Sequence, residues 1–390
     1  MENIAVIGSN CAGCYQCLDV CKFNAIDISH DEEGFFYPRI NDKKCVGCGM
    51  CLKNCPAKLQ QKNPKPDKVY AYVGKEYKNS SSGGAFHDLA VYLMKEGYVI
   101  CAAKFDDSLH LCHDFVEDES QLIKFQRSKY IQSDMSNIYK RIGNVLKEGK
   151  KLVFVGTPCQ VSAVKNLFKE KHPNQIFLID FVCHGVPSQE MFDACIKDEE
   201  KRIGGQIISF DFRCRLNHLS QSYRYFYKKN GKIKKRVGYH YEFPYYNAFR
   251  KYSTLRKSCY QCKYASVERC GDITLADFWG IEKINHKLNS HDGVSMLLIN
   301  TDLGKNISAM ALKLTMSYNL EDARHYNPSL NGPTEYTKKL REKFDDDLKA
   351  YGMAEAFNIN YREKNIFKKK LKNNIPWWIK RLVKKLTRHY

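Results

Sequence analysis

Eight cysteines fall within the first 55 residues, in two copies of one spacing. Cys11, Cys14, Cys17 and Cys21 form the first copy. Cys45, Cys48, Cys51 and Cys55, followed by Pro56, form the second. Both read C-x2-C-x2-C-x3-C, a run in which three close thiolates wrap one four-iron cube and the fourth crosses to the other. The spacing therefore assigns Cys11, Cys14, Cys17 and Cys55 to one 4Fe-4S cluster, and Cys45, Cys48, Cys51 and Cys21 to a second. Structural zinc sites present their ligands as two separated pairs, which this pattern does not. Cys21 is followed by Lys22 where the run would carry proline, a departure that removes no ligand.

Further thiols recur downstream. Cys259-x2-Cys262 is followed by Cys270, then by Gly271-Asp272 and Asp277-Phe278-Trp279-Gly280. Three thiols lack one ligand for either a zinc tetrahedron or an iron–sulfur cube, and local spacing leaves both open. Cys159, in Gly156-Thr157-Pro158-Cys159-Gln160, or Cys183, in Cys183-His184-Gly185-Val186-Pro187, is available as the fourth. Each follows an apolar run, at the carboxyl end of a strand where open α/β sheets place ligands. Ser80-Ser81-Ser82-Gly83-Gly84 precedes a helical pattern. Its hydroxyls and free N–H groups can cradle a phosphate, or can simply cap a helix.

These motifs need elements to hold them. Val69–Val73, Tyr98–Ala103, Lys151–Gly156 and Ile176–Phe181 read as strands, the last three as continuous apolar runs buried on both faces. Ala85–Lys95 and Gln160–Glu170 have helical periodicity. Ile207–Val237 alternates aromatic and polar residues and turns at Lys229-Asn230-Gly231-Lys232, as an antiparallel hairpin does. Ala25–Ile28 and Phe35–Tyr37 read as short strands between the cysteine runs. The polar, proline-bearing stretch after Gln60 reads as a linker.

At 390 residues the chain has room for two or three domains. Met1–Asn10 has neither a basic start nor an apolar run of signal length, and no apolar segment approaches a membrane span. Seventeen cysteines without such a leader point to a reducing cytoplasm and to metal ligation. The formal charge is +20, with eleven Lys or Arg and one acid in residues 362–390. The body is only moderately basic, so no nucleic-acid partner is expected.

Taken in order, Ser81–Gly84, Gly156–Gln160, Cys183–Pro187 and Cys259 to Gly280 resemble the beta subunits of coenzyme F420 hydrogenases and dehydrogenases. The resemblance covers about residues 70–300, and such proteins commonly carry a ferredoxin-like module. Related sequences occur in bacterial surface-polysaccharide biosynthesis. The resemblance implies an FAD-dependent iron–sulfur oxidoreductase working between a redox partner, such as ferredoxin, and a small-molecule substrate. A sugar intermediate is one candidate substrate. The alternative is an electron-transfer subunit of a larger complex without a substrate of its own. Carried over by motif, Ser81, Ser82, Gly83, Gly84, Thr157 and Pro158 contact FAD. Cys259, Cys262 and Cys270 hold a third 4Fe-4S cluster, with Cys159 the first choice for fourth ligand and Cys183 the second. His184 and Asp277 are the catalytic candidates, and Trp279 would line the same site. His184 has an equal reading as a structural histidine in a turn, and Trp279 as core.

The expected architecture is a mixed α/β flavin-binding domain preceded by a small ferredoxin-like α+β iron–sulfur domain. Its divisions are a cluster module over 1–62, a linker over 63–68, the oxidoreductase body over 69–335 and a helical basic tail over 336–390. In the tail, Ile375, Trp378, Ile379, Leu382, Val383 and Leu386 recur at helical spacing among basic residues after Pro376. Such a helix can lie on the anionic inner face of a membrane, or dock on protein.

Overall fold

The structure is a computed structural model that describes residues 2–59, 62–66, 68–75, 77–216, 219–290 and 293–374. Its strands are β1 (Ile26–His30), β2 (Phe36–Ile40), β3 (Val69–Tyr72), β4 (Tyr98–Phe105), β5 (Leu111–Val116), β6 (Lys151–Gly156) and β7 (Ile176–Phe181), then β8 (Gln206–Leu216), β9 (Leu219–Lys229), β10 (Lys232–Tyr239), β11 (Ile273–Asp277), β12 (Ser295–Ile299) and β13 (Met316–Tyr318). Eight of them make one sheet in the order β13-β3-β12-β11-β7-β6-β4-β5.

The four central strands β4, β6, β7 and β11 are parallel. The apolar runs account for this, because a parallel strand is covered on both faces. Along β6, Leu152 to Gly156 are all buried. The flanking strands β5, β12, β3 and β13 are antiparallel to their neighbours. The expected strand at Val69 thus joins the antiparallel wing rather than the parallel centre. Between β6 and β7 the register pairs Gly156 with Asp180, which brings both strands to the same edge. Cys159 and Cys183 follow those two ends.

Helix Ala85–Lys95 forms as its periodicity requires, with Ala85, Leu89, Ala90 and Leu93 buried. The helix after β6 runs over Pro158–Val164 and widens into a π turn at Lys165–Lys169. The aromatic hairpin turns through Asn230 (φ 52°) and Gly231 (φ 72°), both left-handed, as a two-residue turn demands. β8 adds a third strand, so the region is a three-stranded sheet.

That sheet supplies Phe210, Phe212, Tyr223 and Tyr225 to the largest core cluster. Phe344, Phe357 and Tyr361 join the same cluster from helices Lys338–Tyr351 and Met353–Tyr361. Residues 338–361 of the helical C-terminal segment thus form core helices. Near the N-terminus, β1 and β2 form a hairpin, and each cysteine run leads into a short helix, Gln16–Val20 or Met50–Lys53. Ile4, Cys17, Leu52 and Cys55 form the small core of this ferredoxin-like module.

Candidate functional site

All seventeen cysteines are free thiols. In the N-terminal module the thiols fall into two neighbourhoods. Cys14 and Cys17 feel the charges of Cys11 and Cys55, and burial followed by these neighbours pushes both thiols up. Cys21 instead lines one pocket with Cys45, Cys48 and Cys51. Backbone N–H groups point at two sulfurs, Gly13 N to Cys11 Sγ and Ala25 N to Cys21 Sγ, each at 3.4 Å.

The inner thiol set, Cys11 with Cys14, Cys17 and Cys55, is pressed against the body. Arg256 is fully buried, with no carboxylate partner among the described residues. Its Nε donates to Cys11 O at 2.6 Å, Nη2 to Phe36 O at 2.5 Å and Nη1 to Gln132 Oε1 at 3.1 Å. Gln132 Nε2 donates to the carbonyls of Ala12 and Gly13. Tyr139 OH donates to Cys14 O at 2.7 Å, and Tyr264 OH to Pro56 O at 2.8 Å. Both phenols belong to one core cluster against which Cys14 and Cys159 pack. They therefore tie the module to the body.

In the body, Cys159, Cys183, Cys259 and Cys262 share the wall of one cavity. Burial pushes the Cys159 thiol to about 11, and its neighbour Cys262 adds to the shift. Cys259 is pushed to about 12 by burial, with Cys262 and Cys159 contributing. Cys183 is raised well above its usual range by burial, then by Cys259. Cys270 does not line the cavity, although it shares a core cluster with Cys159 and Cys262. Its Sγ donates to Pro158 O at 3.1 Å and to the buried Asp180 Oδ2 at 3.3 Å. Burial and that carboxylate disfavour its thiolate. The trio expected from the sequence is thus divided, and Cys183 stands with Cys259 and Cys262 where Cys270 does not. Among the described residues, no three His, Cys, Asp or Glu side chains are close enough to bind a single metal ion. Cys21, Cys45, Cys48 and Cys51 line one pocket, and Cys159, Cys183, Cys259 and Cys262 line the larger cavity.

Two local devices bring this set together. Gly185 has φ 101°, and a Cβ there would lie 2.7 Å from Leu255 and 3.0 Å from Cys259. Only glycine lets the Cys183 loop close on Cys259. At the other side, Thr157 opens its helix with a capping box. Gln160 Oε1 accepts from Thr157 N (3.0 Å) and Thr157 Oγ1 (2.9 Å), and that hydroxyl is 3.2 Å from Cys159 Sγ. Gln160 Nε2 in turn donates to Ser133 Oγ, which pairs with His113 Nδ1, while His113 Nε2 faces Val155 O. Thr157 also lines the cavity, beside Pro158.

The cavity measures about 680 Å³ and runs from these thiols to Ser81, Ser82 and Gly84. Ser82 Oγ donates to Val294 O, Gly83 N donates to Ser295 Oγ, and Ser81 Oγ accepts from Ser128 N. Gly83 is a packing glycine, since a Cβ there would meet Tyr72 O at 2.1 Å. Gly84, in the left-handed region, caps helix Ala85–Lys95, whose first residues also line the cavity. His184, Asp277 and Trp279 share the lining. Asp277 forms an ion pair with the buried Arg213, whose guanidinium lies 5.6 Å from the Trp279 ring. His184 Nδ1 meets Ser329 Oγ at 2.8 Å, and burial lowers its imidazolium's stability, so the ring stays neutral near pH 7. Lys129 borders the cavity too. It caps the carbonyls of Phe125, Gln126 and Arg127, and burial lowers its ammonium to about 7. Gln132, Lys129, Arg213 and Arg256 have no sequence signal, because each is one polar residue in an ordinary surrounding.

The helical spacing read over Ile375–Leu386 lies outside the described residues, as do Trp377 and Trp378. Among the described residues, no helix is long and apolar enough to cross a membrane.

Residues 149–318 match the family described as the C terminus of the beta subunit of coenzyme F420 hydrogenase/dehydrogenase. Residues 10–59 match the 4Fe-4S dicluster domain. The chain is similar to the coenzyme F420-dependent sulfite reductase of Methanocaldococcus jannaschii, at 42% identity over 164 residues. The match covers 40% of this chain and a quarter of the relative's length. Among solved structures it is similar to a chain of the F420-reducing NiFe hydrogenase complex from Methanosarcina barkeri, a xenon derivative. That likeness has a TM-score of 0.46 and 15% identity, covering 74% of this chain and 95% of the other.

Proposed function

We propose that this chain, a member of the coenzyme F420 hydrogenase/dehydrogenase beta-subunit family with a 4Fe-4S dicluster domain at its N-terminus, is an iron–sulfur flavoprotein oxidoreductase. The observation that carries the reading is one cavity bounded by Ser81, Ser82 and Gly84 at one part and by Cys159, Cys183, Cys259 and Cys262 at another. Its volume falls in the range of cofactor sites. Four crowded, buried thiols would resist ionisation together unless a cationic metal centre neutralised them. That donor set fits a third 4Fe-4S cluster, with Cys183 in place of Cys270. Bound clusters would supply one-electron transfer, and a bound FAD would join it to two-electron chemistry.

The chain's own residues do the rest. The buried Tyr139 and Tyr264, packed in one cluster with Cys14 and Cys159, would shield an electron path between the two thiol sets. The Thr157–Gln160–Ser133–His113 chain holds the Cys159 turn in position. The helix start after Gly84 would set its positive end toward FAD phosphates, with Gly83 N and Ala85 N held by Ser295 Oγ. Arg213 fixes Asp277, which acts as a positioning residue for that guanidinium. The neutral His184, oriented by Ser329, can donate a hydrogen bond or a proton to a small substrate beside Trp279.

A second reading is an electron-transfer subunit without a substrate of its own. The short span of the match to the sulfite reductase supports it, since this chain then corresponds to one part of a larger redox protein. The test is anaerobic purification followed by FAD and iron assay, then ferredoxin-driven turnover of candidate substrates, sugar intermediates included. The enzyme reading expects bound FAD with turnover by the chain alone. Bound FAD without turnover favours the subunit reading, and protein that takes up no flavin removes the flavoprotein enzyme.

A further inference from the structure

The two N-terminal thiol sets differ in access. The inner set is covered by Arg256, Gln132, Tyr139 and Tyr264 and leads toward Cys159. The outer set, Cys21, Cys45, Cys48 and Cys51, has the exposed Cys48 and shares its pocket with Phe23, Val46 and Met50. These three apolar side chains are 48%, 55% and 41% exposed. Large apolar residues grouped on a surface mark a contact site rather than chance exposure.

Exposed lysines border the same group. Lys22 adjoins Phe23, Lys43 and Lys44 precede Cys45, and Lys53 lies one helical turn from Met50. None of the four forms an ion pair among the described residues, whereas Lys58, farther along, pairs with Glu2. Asp42 is the single acid in residues 41–55. The face is thus an apolar centre with a basic rim, built around a thiol that ligates the outermost redox site.

We propose that this face docks a small acidic protein carrying a one-electron redox centre. The proposal rests on the relay reading above and adds where electrons enter and what delivers them. The step moves one electron from the reduced carrier to the outer iron–sulfur site, and no bond is made or broken. Charge complementarity selects the occupant. A basic rim steers an acidic partner and raises encounter rates by about 10- to 1,000-fold at low salt. The exposed apolar centre then excludes water at the point of closest approach. A lipid surface would match the same charges, but it would cover the outer site without bringing a redox centre to it.

The experiment uses the full-length, iron-replete protein and photoreduced acidic ferredoxin as the probe. Stopped-flow bleaching of the iron–sulfur absorption reads the rate without reference to flavin. Reduction should slow at least about tenfold from low to physiological salt. K43E/K53E should slow it by a similar factor at low salt, with iron content unchanged. Val46→Ser, with all charges kept, should weaken half-saturation while retaining the salt dependence. Equal rates for parent and K43E/K53E overturn the proposal. So does a parent with full iron that ferredoxin does not reduce. Salt-sensitive binding to anionic vesicles that K43E/K53E abolishes, with ferredoxin rates unchanged, also overturns it in favour of a membrane. A parent that lacks flavin but shows lysine-dependent reduction sinks the flavoprotein reading and leaves the docking face standing.

Discussion

Arg256 donates from Nε to the carbonyl oxygen of Cys11 at 2.6 Å, so a buried guanidinium of the body holds a cysteine loop of the N-terminal module. Three bonds and the faces of Phe35 and Tyr37 satisfy this cation without a carboxylate. Replacing it by leucine removes this donor from Phe36 O and Gln132 Oε1, while Cys11 O keeps Ser258 Oγ. Each buried orphan costs about 1–3 kcal/mol. R256L should therefore lower the melting temperature and speed release of the module by limited proteolysis. Unchanged melting and cleavage would refute the clamp.

Cys183 and Cys270 should respond differently to substitution. With three cubes of about four irons each, C183S should lose about four of about twelve. C270S should keep its iron, since a serine hydroxyl can still donate to Pro158 O or Asp180. Parallel iron and sulfide assays decide the assignment. Iron loss in C270S, with iron retained in C183S, would restore the trio read from the sequence.

Gly83→Ala places a methyl 2.1 Å from Tyr72 O and 2.5 Å from Ser295 N. Both are backbone atoms of paired strands, so the loop must move instead, at a cost of about 1–3 kcal/mol. The expected result is a folded protein with a lower melting point and a reduced flavin-to-protein ratio. Full flavin content in G83A would separate the loop from the cofactor.

Acid should destabilise the body through His113. Burial lowers this ring from 6.5 to about 4, so it stays neutral while the unfolded chain binds a proton. Stability is then intact above pH 6.5 and falls as pH drops toward 4, by about 1.4 kcal/mol per pH unit at most. The Cys159 turn hangs on the same hydrogen-bond chain. Urea melts at several pH values should show this slope, flattened in His113→Gln. Equal slopes in both proteins would exclude His113 as the source.

Much of the fold was legible because its signals are local. The runs at Leu152–Val155 and Ile176–Ile179 can only be doubly covered strands, and Asn230-Gly231 can only be a tight turn. β11 and β12 went unread, since a strand of five residues carries too little pattern to show a period. The dicluster spacing is equally local, because one loop of seven residues presents three thiols whatever surrounds it.

The third thiol set was a matter for tertiary structure. Sequence counts Cys270 with Cys259 and Cys262 because it is near along the chain. The parallel pairing of β6 and β7 instead brings Cys183 level with Cys159, and Gly185 lets that loop reach Cys259. Asp180, near the end of β7, takes Cys270 away as a hydrogen-bond donor. Spacing determines which thiols a single loop can gather. Strand register and the placement of one buried carboxylate determine which thiols meet from separate loops, and neither is written in the residues between them.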